Sequence, residues 1–249
     1  MYIDFTGDRL EIVDKTTAEE RKVEMFVAIL PCSHYTYCEA VRTQKKEDLI
    51  RACEDAIRFY GGAPCAIVPD NLKSVVTRSD RNEPVINPDF ESFAEHYGCA
   101  VVPARVRHLR DKALVENAVK LMYRSAYVYL EGMVFHALEW LNGAILRSLE
   151  KFNARNLPRR RESRSQLFDS VERGCLRPLS ANRYQMRQRA VATVQRNSYV
   201  TLNKRHYSVP VQYVGKRVDM VFDTDTIDIF HGFTHVATHH RNDAPYEYT

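Results

Sequence analysis

The chain has 249 residues, 45% of them hydrophobic and 27% charged, so it can bury a core and is not a disordered protein. Its net charge is +4, and its six cysteines form no CxxC pair, which argues against a disulfide framework. No apolar run approaches the roughly 18 residues that a membrane-spanning helix needs. We therefore expect a cytoplasmic protein with no membrane partner.

The first forty residues predict short strands. Apolar segments lie at 2–5, 10–13, 22–30 and 35–41, and they are separated by turn residues and by Pro31. Strands joined by such short connections form an antiparallel meander. The chain therefore opens with one side of a β-sheet.

The pattern then changes to alternating helices and strands. A helical face over Lys46–Tyr60 ends at two glycines, and the short apolar run Cys65–Val68 is typical of a buried strand. Asn87 and Pro88 start a second helix, Cys99–Val102 forms another strand, and Met133–Phe152 forms a further helix. This order predicts an α/β fold, a mixed sheet flanked by helices.

The stretch Arg105–Arg124 has two interpretations. Its cations lead into a helix that carries Glu116, as a phosphate-handling site requires, but a solvated helix with surface ion pairs has the same composition. The positions of two other acids in the predicted fold are more informative than this composition. Asp4 lies in the first strand, and Asp70 directly follows a central strand. Polar residues at strand ends collect at one edge of an open α/β sheet, although a few acids also fall there by chance.

Charge is unevenly distributed in the last third of the chain. Arg155–Arg189 contains ten arginines, no lysine and three acids, a local charge of +7, which favours either an anionic polymer as partner or a salt-bridged linker. Six short strands follow from Ala192 and predict a small all-β barrel. We expect a core at 1–152, a linker at 153–191 and the barrel at 192–249.

Distinctive sequence blocks occur throughout the chain. They are IDF with Gly7, YTYCEA from Tyr35, FYGGAP from Phe59, VPDNLKSVV from Val68, NPDF from Asn87, HYG from His96, PARVRHLRDKALVENAV from Pro103, and HYSVP from His206 with Val214-Gly215. In these blocks the chain resembles the DDE transposases and retroviral-type integrases, and more narrowly IstA, the transposase of insertion sequences that also encode an IstB ATPase. The resemblance covers nearly the whole chain, and VPDNLKS and DKALVEN are its most specific blocks.

The resemblance implies an RNase H-like core followed by a barrel of the kind found in Mu-type transposases. Asp4, Asp70 and Glu116 would be the catalytic, metal-binding triad, holding two Mg²⁺ or Mn²⁺ ions about 4 Å apart. A metal-activated water would cut at a transposon end, and the freed 3′-hydroxyl would attack target DNA. The implied partners are double-stranded DNA, further copies of the chain and an IstB-type AAA+ ATPase.

Cations near these carboxylates are the candidate DNA contacts. Asn71 and Lys73 follow Asp70 closely, and arginine pairs bidentately with phosphate. The full candidate set is Asn71, Lys73, Arg105, Arg107, Arg110, Lys112, Arg159, Arg160 and Arg161.

The chain departs from the family pattern at its ends. It lacks the helix-turn-helix region that reads transposon ends in family members and most of the family's tail beyond the barrel, so we expect a core fragment or a gene remnant. Two other functions stay open at this point. One is a DNA-binding or assembly module without activity, and the other is an RNase H-type nuclease.

Overall fold

The computed structural model describes residues 1–7, 9–15, 17–69, 75–78, 85–102, 120–121, 125, 128–130, 132–158, 160–223 and 226–241. The chain folds as two compact units, Met1–Tyr184 and Gln185–Thr249. Each unit has its own buried apolar core.

A mixed sheet forms the centre of the first unit. The strands of this unit are β1 Tyr2–Phe5, β2 Leu10–Val13, β3 Glu20–Ile29, β4 Thr36–Val41, β5 Ala66–Pro69, β6 Val76–Arg78, β7 Val85–Ile86 and β8 Ala100–Val101. The first four strands pair antiparallel through β3, whereas β1 with β5 and β5 with β8 pair parallel. β6 and β7 form a separate hairpin, which the sequence pattern did not predict.

Strand order follows from the pairing of β3. Both β1 and β4 pair with its residues 26–29, so they must lie on its two opposite edges. β2 pairs with the amino-terminal part of β3, residues 20–23. The order across the sheet is therefore β4, β3, β1, β5, β8.

Successive side chains along each strand point to opposite faces of the sheet. On one face, Met25, Val27 and Ile29 of β3 belong to a buried apolar cluster. On the other face, Ile3 and Phe26 are also fully buried. Both faces are covered, as expected for a sheet with parallel strands. The helix that follows residue 137 contributes to the first cluster with Leu141, Ala144, Ile145 and Leu149.

Four α-helices have both ends within the described residues, and two of them have an end that the sequence predicts. They are α1 Lys46–Tyr60, α2 Pro88–His96, α3 Leu138–Ala154 and α4 Arg164–Leu167. Gly61 ends α1 with a φ of +74°, and at the start of α2 the Asn87 side chain accepts a hydrogen bond of 3.0 Å from the Asp89 N–H. Within the described ranges, no helix combines the length and the apolar character needed to cross a bilayer.

The predicted start of α3 is wrong. The sequence predicts a helix from Met133, but the structure begins it at Leu138, after an extended Ala137. The Phe135 carbonyl accepts a hydrogen bond of 2.8 Å from the Val13 N–H, at the end of β2. Because this carbonyl is hydrogen-bonded to β2, the segment before Leu138 lies along the sheet and does not join the helix.

Most of the Arg-rich segment packs on the first unit. Phe168, in a π-helical turn after α4, is buried, and its ring stacks on Tyr35 at a centroid distance of 4.5 Å. The Glu172 carboxylate accepts hydrogen bonds from the Cys32 and Ser33 N–H groups. Residues 155–184 therefore lie within this unit.

The second unit is all-β. Its strands are β9 Gln188–Thr193, β10 Tyr199–Leu202, β11 Arg205–Ser208, β12 Arg217–Phe222, β13 Thr226–His231 and β14 Thr234–His240. Four of them pair antiparallel in the order β14, β13, β12, β9, and β10 pairs with β11 in a hairpin. The core of this unit contains Val200, Val218, Ile227 and Ile229, all fully buried.

Candidate active site

Asp4 lies near the carboxyl end of β1. Residues alternate along this strand, with Ile3 and Phe5 buried and Asp4 half-buried on the opposite face. One carboxylate oxygen, Oδ1, accepts a hydrogen bond of 2.8 Å from the Phe5 N–H. Val27 of β3 is directly opposite Asp4 in the antiparallel pair. The strand and this backbone donor together orient the carboxylate.

β5 lies next to β1 and runs in the same direction. In the register of the pair, Tyr2 is opposite Val68 and Ile3 is opposite Pro69. The carboxyl ends of two parallel strands meet at the same edge of a sheet. In sequence, Asp4 follows Ile3 and Asp70 follows Pro69. Asp70 itself, with Asn71 and Lys73, lies outside the described residues.

Glu116 also lies outside the described residues, as do the cations before it, namely Arg105, Arg107, Arg110 and Lys112. The described residues that follow them are helical at 120–121, 125 and 128–130. Leu130 is buried in the same apolar cluster as Val27. Because Val27 is opposite Asp4, the chain that follows Glu116 returns to the face of the sheet that carries Asp4.

The Arg-rich turn is placed elsewhere in the first unit. Arg160 and Arg161 are exposed in a turn between α3 and α4 that is closed by a bridge between Asn156 and Ser163. Arg159 lies outside the described residues. The turn is near His34, whose pKa is lowered mainly by burial and further by the charges of Arg164 and Arg160.

This turn and Asp4 lie at different ends of β1. His34 belongs to the connection between β3 and β4, which follows Ile29, and Ile29 is opposite Tyr2 at the amino end of β1. Asp4 is toward the carboxyl end. The structure therefore does not bring Arg160 and Arg161 together with Asp4, and any phosphate that they contact lies away from this carboxylate.

Of the predicted triad, the described ranges contain only Asp4. Within those ranges, no group of three or more His, Cys, Asp or Glu side chains is arranged to hold a metal ion. The Asp4 carboxylate offers oxygen, the ligand type that Mg²⁺ and Mn²⁺ prefer. The one described residue of the predicted triad thus carries the ligand type that suits the predicted metal.

The second unit contains basic residues that the arginine density of the sequence did not single out. No acidic residue occurs between Glu172 and Asp219, although this stretch contains many cations. The net charge of long stretches that contain no Asp or Glu indicates these residues, whereas arginine density alone does not. In the second unit the run contains Arg187, Arg189, Arg196, Lys204, Arg205, Lys216 and Arg217.

Two family models match the chain in succession. Residues 2–108 match an integrase core domain, and residues 179–248 match the C-terminal domain of Mu transposase. Together the two matches cover more than half of the chain. The first match includes Asp4 and Asp70.

Curated relatives carry transposase names. A putative transposase y4bL/y4kJ/y4tB of Sinorhizobium fredii (strain NBRC 101917 / NGR234) is 35% identical over 241 residues, which is 97% of this chain and 47% of that protein. A putative transposase for insertion sequence IS408 of Burkholderia multivorans (strain ATCC 17616 / 249) is 33% identical over 242 residues, with the same coverage. The chain thus spans about half the length of these relatives.

The fold is also found in a solved assembly. A chain of the simian T-cell lymphotropic virus intasome, solved in complex with PP2A regulatory subunit B56 gamma, matches with a TM-score of 0.50 and 13% identity. The match covers 93% of this chain and 74% of that chain. The mixed sheet with β1 at its centre is accordingly the RNase H-like fold of integrase cores. An integrase core followed by a Mu-type C-terminal domain, in a chain similar to insertion-sequence transposases along nearly its whole length, identifies a member of the integrase-type transposase family.

Proposed function

We propose that the chain is the catalytic part of a DNA transposase that cuts at transposon ends and joins the freed strand to target DNA. The observation that carries this proposal is the parallel register of β1 and β5, in which Ile3 is opposite Pro69. Each of these residues directly precedes a carboxylate of the predicted triad, Asp4 or Asp70. Such an edge of an α/β sheet is where ligands bind.

Asp4, Asp70 and Glu116 would hold the metal in this proposal. Two Mg²⁺ or Mn²⁺ ions, when bound, stabilise charge on the attacking and the leaving oxygen of a phosphodiester. Asp4 is prepared for this role because the Phe5 N–H orients its Oδ1. Its half-buried position beside Val27 limits competing water on one side.

DNA binding would be shared between several groups of cations. Asn71 and Lys73 follow Asp70 in sequence. The exposed turn with Arg160 and Arg161 would contact phosphates farther along the duplex. The remaining predicted contacts are Arg159 and four cations that precede Glu116, namely Arg105, Arg107, Arg110 and Lys112.

The proposed assembly contains further proteins. We propose that the chain acts as an oligomer on DNA and with an IstB-type ATPase, as the sequence resemblance implies. Sedimentation of the chain with and without duplex DNA tests the first part, and co-purification with the ATPase tests the second.

The test of the chemistry is metal-dependent cleavage and joining of duplex DNA by single variants. Asp4→Asn, Asp70→Asn and Glu116→Gln are each expected to lower the rate by more than about 100-fold, because each removes a charged ligand. Glu91→Gln is the matched control, since Glu91 is an exposed acid of α2. Full activity in any of the three variants would remove that residue from the triad.

The same assays distinguish two other functions. A chain that cuts an RNA–DNA hybrid faster than duplex DNA would be an RNase H-type nuclease. A chain that binds duplex DNA but neither cuts nor joins it, in the presence of Mg²⁺ or Mn²⁺, would be a binding module.

A further inference from the structure

Phe233 is the most exposed large apolar side chain among the described residues, with a fractional exposure of 108%. It lies in the connection between β13 and β14, where His231 is opposite Thr234. Only Gly232 and Phe233 are left in the turn. The side chain therefore projects from the tip of a tight hairpin.

The turn holds this side chain in a defined direction. Gly232 has a φ of +59°, whereas Phe233 keeps a negative φ, as in a two-residue turn with glycine at its first central position. Below the turn, the two strands pair from His231 down to Thr226 with one bulge. A large aromatic ring on so short a turn exposes apolar surface and gains no packing within the unit.

The base of the hairpin is fixed by ring and hydrogen-bond contacts. The Tyr213 and His231 rings lie 5.4 Å apart. His231 Nδ1 donates to the Arg217 carbonyl oxygen at 3.0 Å, and Lys216 Nζ lies 5.2 Å from the Tyr213 ring centroid. These contacts place Lys216 and Arg217 beside the strand end that leads to Phe233.

This end of the unit is cationic. Lys216 and Arg217 are exposed, and among the described residues neither forms an ion pair with an acid. Arg196 is exposed in a nearby connection that follows Val194, whose N–H donates to the Lys216 carbonyl. A projecting aromatic ring flanked by lysine and arginine complements a nucleic-acid groove, where apolar wedges contact bases and cations contact phosphates.

We propose that Phe233 enters a groove of duplex DNA and contacts the bases, while Lys216 and Arg217 bind the phosphates beside it. The inference rests on the proposed function only in that DNA is the substrate. It adds a specific contact, outside the integrase core, by which the second unit holds the duplex.

Duplex affinity of the whole chain is the first measurement. Phe233→Ala is expected to weaken binding about 10-fold, within the range of ring–base contacts, and to leave the salt dependence unchanged because the charge is the same. Val211→Ala is the matched control, since Val211 is 77% exposed in the same unit. The affinity of this control for the duplex should stay within about 2-fold of the parent chain. Lys216→Gln with Arg217→Gln should instead lower the slope of log affinity against log salt by up to about 2.

A fluorescence measurement reports the contact directly. Trp140 is the single tryptophan of the chain, so Phe233→Trp in a Trp140→Phe background places one emitter at the turn. Duplex DNA is expected to quench this emission, and a Val211→Trp counterpart should not respond. Unchanged emission at saturating DNA, or unchanged affinity of Phe233→Ala, would overturn the inference.

The outcomes separate this inference from the proposed function. A chain that binds DNA through Phe233 but joins no strands would overturn the proposed function and support the inference. If the chain joins DNA strands and the Phe233→Ala variant binds duplex DNA as tightly as the parent chain, the proposed function is supported and the inference is wrong. If Phe233→Ala reduced self-association of the chain and not DNA binding, the turn would be a contact between copies, and the inference would be wrong.

Discussion

Ile3 and Pro69 lie opposite each other in the parallel pair of β1 and β5. Three strands and a helix separate them in sequence, yet each immediately precedes a carboxylate of the predicted triad. The pairing is thus the structural basis for expecting Asp4 and Asp70 to act at one sheet edge.

Asp4→Asn is expected to abolish metal-dependent activity without unfolding the first unit. Asparagine keeps an oxygen that can accept the Phe5 N–H, so the free energy of unfolding should change by less than about 1 kcal/mol. Urea denaturation and a Mn²⁺-binding titration check the two parts separately. A large loss of stability would mean that Asp4 is needed for the fold.

Glu39 makes stability depend on pH. Burial, and next the charge of Asp55, raise the pKa of this carboxyl to about 7, and its Oε1 is buried without a hydrogen-bond partner in the described structure. Because the folded pKa exceeds the unfolded one, the protonated form stabilises the fold at low pH. This contribution is lost as pH rises from about 4.5 through about 7.

Glu39→Gln should therefore be more stable than the parent chain at pH 8, by up to about 3 kcal/mol, and close to it at pH 4.5. The measurement is the free energy of unfolding at several pH values. Glu47→Gln, which replaces an exposed acid of α1, is the control. An equal effect of Glu39→Gln at both pH values would contradict the raised pKa.

Phe168→Ala tests whether the Arg-rich segment is part of the first unit. The ring is 2% exposed and stacks on Tyr35, so its removal should cost about 3 to 5 kcal/mol of unfolding free energy. Val171, in the same π-helical turn, is 48% exposed, and Val171→Ala should cost under about 1 kcal/mol. A small cost at Phe168 would show that the segment is a free linker in solution.

Arg160→Gln with Arg161→Gln should reduce the salt dependence of DNA binding. Removal of one phosphate contact lowers the slope of log affinity against log salt by about 0.9, so the double variant should lower it by up to about 2. Arg173→Gln is the control, because Arg173 pairs with Asp169 at 2.5 Å four residues earlier. An unchanged slope in the double variant would exclude the turn from the DNA interface.

Local patterns were sufficient for most elements. The period of apolar residues predicts α1 at its observed limits, and Asn87 and Gly61 act as the predicted helix ends. These features depend on neighbours within a few residues, which a sequence displays directly. The start of α3 is different, because the Phe135 carbonyl pairs with Val13, which is far away in sequence.

The candidate site likewise combines features that the sequence predicts with features that depend on residues far apart in the chain. Motif resemblance supplied Asp4, Asp70 and Glu116 as the predicted ligands. Strand register was needed to show that Asp4 lies toward one end of β1 while the Arg160 turn is near the other. The exposure of Phe233 likewise depends on the two-residue turn, since an aromatic residue in a strand-rich segment is more often buried.

By itself, the sequence determined most elements and the family, and it predicted the carboxylates on which the proposed chemistry depends. The tertiary structure decided which strand ends are neighbours, that Phe168 anchors the Arg-rich segment, and that the partly buried Glu39 carboxyl lies near Asp55. The physical reason is that helix and strand formation depend on apolar residues that repeat within a few positions along the chain. Strand partners and buried charges follow from packing between residues that are far apart in sequence.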